Sequence, residues 1–284
     1  MKITECPRDA MQGIKDFIPT DLKIKYLNQL LKVGFNSLDF GSFVSPKAIP
    51  QLKDTSEIVS KLDLSGTDTK LLSVIGNLRG AEIASEFDEI TYFGFPYSLS
   101  ATLLKLNINS DRISVLKTIE QIQNICIKKN KKLVIYFSLA FGNPYGDVYT
   151  NQDIIDDISL LKSFGIENIN MADTLGIASP EKIATLFSQI NQSFPDFDFG
   201  FHLHTSQHSW YEKIHAAVKN GCNHFDTVLN GYGGCPMTGS ELIGNLDTYN
   251  LLLYFLNYEI ETNLNKEELA KASEISVEIF KNYH

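Results

Sequence analysis

Two histidines separated by a single residue give the clearest local indication of chemistry in this sequence. His202 and His204 fall at the end of a predicted β-strand, residues 199–203. Side chains two residues apart on a strand point to the same side, so the two imidazoles converge while Leu203 points away. Imidazole is the commonest metal ligand in proteins. A pair of hydrogen-bonded histidines is the alternative, and the position of this pair at a strand end favours a metal.

A metal ion needs more ligands than two imidazoles. Asp9 supplies a carboxylate shortly after the first predicted strand, and Asn245 offers an amide oxygen beyond a glycine-rich loop. Two nitrogens and two oxygens with open positions suit an octahedral Mg²⁺ or Mn²⁺ better than a closed structural zinc site, with Zn²⁺ kept as an alternative. The sequence has no H-E-x-x-H motif, so it does not indicate a zinc protease.

Two reactive side chains accompany these candidate ligands. Arg8 precedes Asp9, and at a strand end facing a pocket its guanidinium would stabilise an oxyanion or enolate; an exposed ion pair is the alternative. Cys235 lies in the glycine-rich loop 231–239, where its thiol would close over a substrate; an incidental cysteine is the alternative. Pro236 occupies the sixth position of a potential G-x-G-x-x-G, so this loop is not a dinucleotide-binding turn.

The elements that must position these residues alternate along the whole chain. Short β-branched and aromatic runs are each followed by a longer amphipathic stretch. The predicted strands cover residues 2–5, 37–41, 71–75, 89–93, 133–137, 168–171, 199–203 and 224–229. Helices are predicted between them, for example over 21–33 and 151–164, ending before Gly34 and Gly165. The interval between the third and fourth strands is short, which predicts a short helix there.

Eight β/α units in about 250 residues predict a (β/α)8 TIM barrel. A doubly wound open sheet is less suitable because no phosphate-binding glycine turn follows the first strand. We expect one domain over residues 1–284, with the barrel over about 1–250 and a C-terminal helical extension over about 251–284. A helix is predicted over 266–283, capped by Asn265 with Glu268 in the reciprocal capping position.

A TIM barrel places its active site at the C-terminal ends of the strands. Polar residues do collect at those predicted positions. They are Arg8 and Asp9 after strand one, Asp39 at the end of strand two, Asn77 and Arg79 after strand three, Asn143 after strand five, Asp173 after strand six, His202 and His204 at strand seven, and the Cys235 loop after strand eight. This coincidence supports the barrel and the site together.

Composition excludes several other classes of protein. The 284 residues carry 25 Lys and Arg against 34 Asp and Glu, a net charge of −9, which argues against a nucleic-acid binder. The longest apolar run, residues 251–256, is far shorter than a membrane span. Four cysteines without C-x-x-C spacing, and a start without a signal core, predict a cytoplasmic protein.

These residues together resemble the 3-hydroxy-3-methylglutaryl-CoA lyase family. The stretch Cys6-Pro-Arg-Asp-Ala-Met-Gln12 is similar to the family's G-P-R-D-G-L-Q, and Ser42-Phe-Val-Ser-Pro-Lys-Ala-Ile-Pro-Gln51 to its S-F-V-S-P-K-W-V-P-Q. Asn77-Leu-Arg-Gly80 is similar to N-L-K-G, Gly142-Asn-Pro-Tyr-Gly146 to G-C-P-Y-x-G, and Ala172-Asp-Thr-Leu-Gly176 to G-D-T-x-G. The segment from Gly233-Gly-Cys-Pro236 to Gly244-Asn-Leu246 resembles the family's cysteine loop and ligand asparagine.

The resemblance implies a role for each of these positions. Asp9, His202, His204 and Asn245 would be metal ligands, Arg8 would neutralise the enolate, and Cys235 would be the mobile acid/base thiol. His202 and Asp39 would belong to the catalytic group, and Asp39 stands where the family carries glutamate. Gln12, Lys15, Asn77, Arg79, Lys47 and Asp173 would bind substrate, with the cations Lys15, Lys47 and Arg79 as candidates for the coenzyme A phosphates.

The implied reaction is metal-assisted retro-Claisen cleavage of 3-hydroxy-3-methylglutaryl-CoA to acetyl-CoA and acetoacetate. The alternatives are a related divalent-metal aldolase or lyase acting on another 3-hydroxyacyl-CoA or 2-oxo acid, and a weakly active acyl-CoA-binding relative. Asp39 and Thr205, which replaces an aspartate after the second histidine, motivate these alternatives. The resemblance also implies a homo-oligomer, with a dimer favoured.

Overall fold

The computed structural model describes residues 1–234 and 243–283, and eight parallel strands form its centre. They are β1 Lys2–Glu5, β2 Ser37–Ser42, β3 Lys70–Val74, β4 Ile90–Tyr97, β5 Lys132–Phe137, β6 Asn168–Asp173, β7 Asp198–Leu203 and β8 His224–Thr227. The strands pair in chain order and β1 pairs with β8, which closes the barrel. The predicted (β/α)8 TIM barrel is confirmed.

Helices surround the barrel and pack their apolar faces on it. Within the described part of the chain they are α1 Pro7–Gln12, α2 Thr20–Leu31, α3 Thr55–Val59, α4 Leu78–Ala84, α5 Ala101–Ile108, α6 Arg112–Lys128, α7 Asn151–Ser163, α8 Pro180–Ser193, α9 Trp210–Lys219, α10 Thr248–Asn257 and α11 Lys266–Asn282. The helix between β3 and β4 is short, as predicted. None of the helices in these residues is long and apolar enough to cross a membrane.

Three local predictions differ from the structure. β4 runs to Tyr97, four residues past its predicted end, because the apolar pattern continues through Phe95. β8 ends at Thr227, since Leu229–Gly231 forms a tight 3-10 turn in which Asn230 has φ +63°. Asn265 caps α11 as predicted, but the Glu268 carboxylate accepts hydrogen bonds from Gln29 and Lys271 rather than taking the reciprocal capping position.

An irregularity in β2 places Asp39 inside the barrel wall. The register between β2 and β3 pairs Asp39 with Leu72 and Gly41 with Ser73, which makes Phe40 an extra residue. Such bulges bend a strand and redirect its side chains near active sites. Glycine is required at position 41, since a Cβ there would lie 2.6 Å from Cγ2 of Thr55.

Candidate metal and catalytic site

Three of the proposed metal ligands converge at the C-terminal rim of the barrel. Asp9 comes from α1, directly after β1, while His202 belongs to β7 and His204 follows it. One ligand atom from each lies within 4.8 Å of the others. All three residues are at most 8% exposed. A carboxylate and two imidazoles in this arrangement can bind a divalent cation.

The alternation of β7 explains why both histidines reach the same space. Phe201 and Leu203 point into the layer between barrel and helices and are at most 1% exposed. His202 therefore points inward. Two residues earlier on the same face of β7, Gly200 leaves space for the side chain of Asn170. A Cβ at position 200 would clash with that side chain.

Asp226 fixes the orientation of His202, and the sequence analysis did not identify this residue. Its Oδ2 lies 3.0 Å from Nδ1 of His202, and the amide of Asn170 donates to both Asp226 carboxylate oxygens at 3.2 and 3.1 Å. A carboxylate at Nδ1 holds the proton on that nitrogen and leaves Nε2 free for a metal. Burial lowers the pKa of His202, but the Asp226 hydrogen bond and charge raise it above its usual value. The only signal in the sequence was an aspartate within an apolar strand.

His204 is suited to ligation because it stays neutral. Burial, followed by the charge of His202, lowers its pKa to about 4. Its Nδ1 is buried and has no hydrogen-bond partner among the described residues. Its backbone forms an isolated bridge with Asn245, whose amide nitrogen donates to Oδ2 of Asp9 at 2.9 Å. The described donor set of nitrogen and oxygen atoms fits a divalent cation.

Arg8 connects the candidate metal ligands to Asp39. Its Nε and Nη2 donate to Oδ2 of Asp39 at 2.9 and 2.6 Å, and its Nη1 donates to Oδ1 of Asp9 at 3.0 Å. Gln12 accepts from the same Nη1 and donates to Asp9 at 2.8 Å. Burial lowers the pKa of Arg8, but the charges of Asp39 and Asp9 more than compensate and raise it. The guanidinium is a permanent, rigidly held cation at the rim.

The two carboxylates beside Arg8 have opposite pKa shifts. Burial raises the pKa of Asp39 to about 6, although Arg8 opposes the shift. Burial also raises the pKa of Asp9, but Arg8, His202 and His204 lower it overall, to about 2. Asp39 keeps one buried oxygen, Oδ1, without a partner among the described residues. Asp9 is therefore a permanent anion, whereas Asp39 can change its charge in a mildly acidic range.

A buried tyrosine also adjoins the site and was not identified from the sequence. The Tyr136 ring stands edge-on to His202, with centroids 5.7 Å apart, and packs where a Cβ on Gly94 would lie 2.8 Å from it. Its hydroxyl is buried without a partner in the part of the chain that is described. A buried hydroxyl left unpaired costs free energy, which makes this group a candidate for contacting substrate.

The proposed substrate-binding residues occupy several positions around the rim. Gln12 lies within the Arg8 network, whereas Lys15, Lys47 and Arg79 are exposed. Asn77 is exposed at the N-terminus of α4 and its side chain accepts from the amide of Gly80, so it caps that helix. The substrate-binding roles of these residues therefore stay predictions.

Asp173 is held by its own surroundings. Its carboxylate accepts from the backbone amides of Ile177 and Ala178 and pairs with Nζ of Lys213 at 3.0 Å. Lys213 also donates to the carbonyl of Gly176 at 2.7 Å. In this arrangement Asp173 closes the turn after β6, and the backbone of that turn contacts His204.

Cys235, the proposed acid/base thiol, lies outside the described residues. The residues just before it are described. Gly233 has φ +82°, and a Cβ there would lie 2.7 Å from Cα of Ala10 and 3.1 Å from the carbonyl oxygen of Asp9. The glycine-rich segment therefore starts in direct contact with α1, above the candidate metal ligands.

A cavity of about 380 Å³ lies elsewhere on the same end of the molecule. It is bordered by the N-termini of α7 and α8 and includes Asn143, Thr150 and Lys182. It contains none of the convergent ionisable side chains, so cavity size does not locate the chemistry here.

The closed barrel and the residues at its rim define the class of this protein. It is a (β/α)8 barrel with a candidate divalent-metal site beside a buried arginine. The chain belongs to the HMGL-like family, whose model matches residues 3–275. It is 31% identical to the hydroxymethylglutaryl-CoA lyase YngG of Bacillus subtilis over 94% of this chain and 88% of that protein. It is 28% identical to the cytoplasmic 3-hydroxy-3-methylglutaryl-CoA lyase of Rattus norvegicus, over 96% and 79% of the two chains.

Solved structures agree with this family assignment. The HMG-CoA lyase of Bacillus subtilis superposes with a TM-score of 0.91 at 29% identity, covering 98% of this chain and 92% of that one. The enzyme from Acinetobacter baumannii, solved in complex with coenzyme A and 3-methylmalate, superposes with a TM-score of 0.90 at 28% identity, covering 98% and 90%.

Proposed function

We propose that this protein is a lyase that cleaves 3-hydroxy-3-methylglutaryl-CoA to acetyl-CoA and acetoacetate. The observation that supports this most is the combination at one rim of Arg8, Asp9, His202 and His204, in a chain related over nearly its whole length to hydroxymethylglutaryl-CoA lyases. The substrate is an acyl-CoA. A general base takes the proton of the tertiary hydroxyl, the C3 oxygen becomes the ketone of acetoacetate, and the bond between C2 and C3 breaks. The electron pair of that bond stays on C2, which leaves as the enolate of acetyl-CoA.

Arg8 is the group in this chain that can stabilise the enolate. It is fixed by Asp39 and Asp9, so its remaining N–H capacity needs no reorganisation when negative charge develops on the thioester oxygen. Asp39 sets the plane of the guanidinium through a bond from Nε and one from Nη2. The enolate carbon then needs a proton, and we assign its delivery to the thiol of Cys235.

Asp9, His202, His204 and Asn245 would hold a divalent cation. When bound, such a cation polarises substrate oxygens and makes a hydroxyl more acidic. We propose Mg²⁺ or Mn²⁺, supported by the mixture of nitrogen and oxygen donors, with Zn²⁺ as an outcome of the test. Asp226 keeps His202 in the required orientation and Asn245 holds the Asp9 carboxylate by a hydrogen bond.

The remaining assignments concern substrate, assembly and location. Lys15, Lys47 and Arg79 are exposed cations, which suits them to the phosphates of coenzyme A. Gln12, Asn77 and Asp173 would position the acyl portion or the loops around it. We further propose a dimer in the cytoplasm; the described cysteines Cys6, Cys126 and Cys222 are free thiols, which suits a reducing compartment.

A product assay tests the proposal. Metal-stripped protein is incubated with 3-hydroxy-3-methylglutaryl-CoA and Mg²⁺, Mn²⁺ or Zn²⁺; acetoacetate is detected by a coupled dehydrogenase and acetyl-CoA by mass spectrometry. We expect equimolar products only with added metal. His204→Ala should abolish turnover, whereas His208→Ala, an exposed histidine nearby, should not.

Other outcomes would identify the alternatives. No metal-dependent product above background would overturn the lyase assignment. Cleavage of a different 3-hydroxyacyl-CoA or 2-oxo acid in a substrate panel, without cleavage of 3-hydroxy-3-methylglutaryl-CoA, would replace it with a related aldolase or lyase. Light scattering over a concentration series measures the oligomeric state, and a monomer would contradict the dimer.

A further inference from the structure

The thiol of Cys6 lies at the inner side of the candidate site and has no part in the proposed reaction. Cys6 links β1 to α1 and is 1% exposed, and its Sγ contacts the carbonyl oxygen of Thr4 at 3.7 Å. It occupies the place of the first glycine in the family-like opening motif. The Cys6 side chain therefore fills buried space that a glycine at this position would leave empty.

Cys6 forms a second cluster of potential metal ligands with His202 and Asp226. One ligand atom from each lies within 4.8 Å of the others. Asp226 contacts Nδ1 of His202 and is not one of the rim ligands, so this cluster approaches the imidazole from the side of Asp226. The three residues are at most 8% exposed.

An unsatisfied polar group adjoins this inner cluster. The Tyr136 ring packs edge-on against His202, and its buried hydroxyl lacks a partner in the described residues. Burial, followed by the charges of Asp226 and Cys6, raises the pKa of Tyr136, so its hydroxyl stays protonated. The space around the inner cluster thus holds sulfur, nitrogen and carboxylate donors together with an unpaired hydroxyl.

We propose that Cys6, Asp226 and Nδ1 of His202 form a second cation site, selective for thiophilic divalent ions such as Zn²⁺ or Cd²⁺. Thiolate ligands select such ions, whereas Mg²⁺ prefers oxygen donors. On binding, a sulfur–metal bond forms, the S–H bond breaks, and the thiol proton passes to solvent. The Nδ1 proton of His202 also leaves that nitrogen while Nε2 takes up a proton, so the imidazole stays neutral and only the thiol proton is lost to solvent.

This inner site competes with the rim site because both use His202. A neutral imidazole has one nitrogen lone pair, so a cation at Nδ1 requires the tautomer in which Nε2 carries the proton. That tautomer cannot coordinate a cation together with Asp9 and His204. The inner site therefore acts as an inhibitory site: a thiophilic ion bound there weakens the binding of Mg²⁺ or Mn²⁺ at the rim.

Cadmium titration tests for the inner site directly. The Cys235→Ser protein is used so that the loop thiol makes no contribution, and the ultraviolet charge-transfer band of a cadmium–thiolate bond is recorded. We expect a band that saturates at one thiolate per chain. It should disappear in Cys6→Ser/Cys235→Ser and Cys6→Gly/Cys235→Ser, and persist in Cys126→Ser/Cys235→Ser, which changes a buried thiol on α6.

The competition is measured on manganese-loaded protein. Cd²⁺ is added, and the released Mn²⁺ is followed by its electron paramagnetic resonance signal. We expect release to require about tenfold more Cd²⁺ when Cys6 is glycine, with unchanged Mn²⁺ affinity in that variant. Circular dichroism checks that each variant is folded. A charge-transfer band that survives both Cys6 substitutions, or no band before substitution, would overturn the proposal.

Discussion

The carboxylate of Asp226 lies 3.0 Å from Nδ1 of His202, and this contact determines which imidazole nitrogen is available to the rim. Asp226 is 2% exposed and is held in turn by the amide of Asn170. The two residues come from neighbouring strands, with His202 paired in register to Asp226 across β7 and β8. A ligand and the residue that orients it are thus fixed by a single strand pairing.

Replacing Asp226 by asparagine should weaken metal binding without removing a ligand. The neutral amide holds the Nδ1 proton less firmly and lowers the basicity of Nε2, so we expect about 10- to 100-fold lower affinity for Mn²⁺. Isothermal titration calorimetry measures the affinity, and Asp156→Asn on the exposed surface of α7 is the matched control. Equal affinities in the two variants would show that Asp226 does not support the site.

Asp39 should produce the acidic limb of the pH–rate profile. Its pKa is raised to about 6 by burial, so below that pH it becomes neutral and no longer anchors Arg8 as a carboxylate. Turnover should therefore fall as pH decreases through about 6. Asp39→Asn should lower turnover at neutral pH by about 10²-fold and remove this limb. A limb of the same midpoint in the asparagine variant would assign it to another group.

Much of this arrangement follows from the sequence, and the exceptions share a physical cause. The convergence of His202 and His204 follows from strand alternation, and the closeness of Asp9 follows from the adjacency of the first and last strands in a closed barrel. Asp226 could not be identified this way, since whether a buried aspartate faces the barrel interior or the helices depends on register. The bulge at Phe40 could not be identified either, since it is a property of the register between β2 and β3.

Glu5 is another residue whose environment could not be predicted from the sequence. It is a polar residue at a strand end, yet it is completely buried. Its carboxyl accepts from the amide of Leu229 and the hydroxyls of Thr227 and Thr248. It therefore connects β1 to the segment after β8 and to α10. Burial dominates over these hydrogen bonds and raises its pKa from 4.5 to about 8.

The raised pKa of Glu5 predicts a stability that decreases as pH rises. Between pH 4.5 and about 8 the folded protein retains a proton that the unfolded chain loses, so the free energy of unfolding falls by up to about 1.4 kcal/mol per pH unit from this group. Glu5→Gln should flatten this dependence, since its amide can accept from Leu229 and donate to the threonine hydroxyls. Urea unfolding at pH 5, 6.5 and 8 measures it; equal slopes in both proteins would contradict the assignment.

Lys213→Met should destabilise the fold more than the loss of an exposed ion pair. Lys213 is 4% exposed, and without it the buried carboxylate of Asp173 loses its cationic partner. We expect a loss of about 3–5 kcal/mol in the free energy of unfolding, measured by urea denaturation. Lys61→Met, which breaks the exposed pair with Glu57, should change the free energy of unfolding much less, because solvent screens that pair. Similar losses in both would contradict a structural role for the buried pair.

Because β1 pairs with β8, the candidate metal site brings together residues from opposite ends of the chain. Asp9 comes from the start of the chain, whereas His204 and Asn245 come from its last third, so the ligands meet only after the barrel seam has formed. A cation shared by them is a reversible cross-link across almost the whole length of the polypeptide. It would bind only to molecules whose folding is complete, so it would stabilise the folded state by mass action, whereas a disulfide also constrains the unfolded chain.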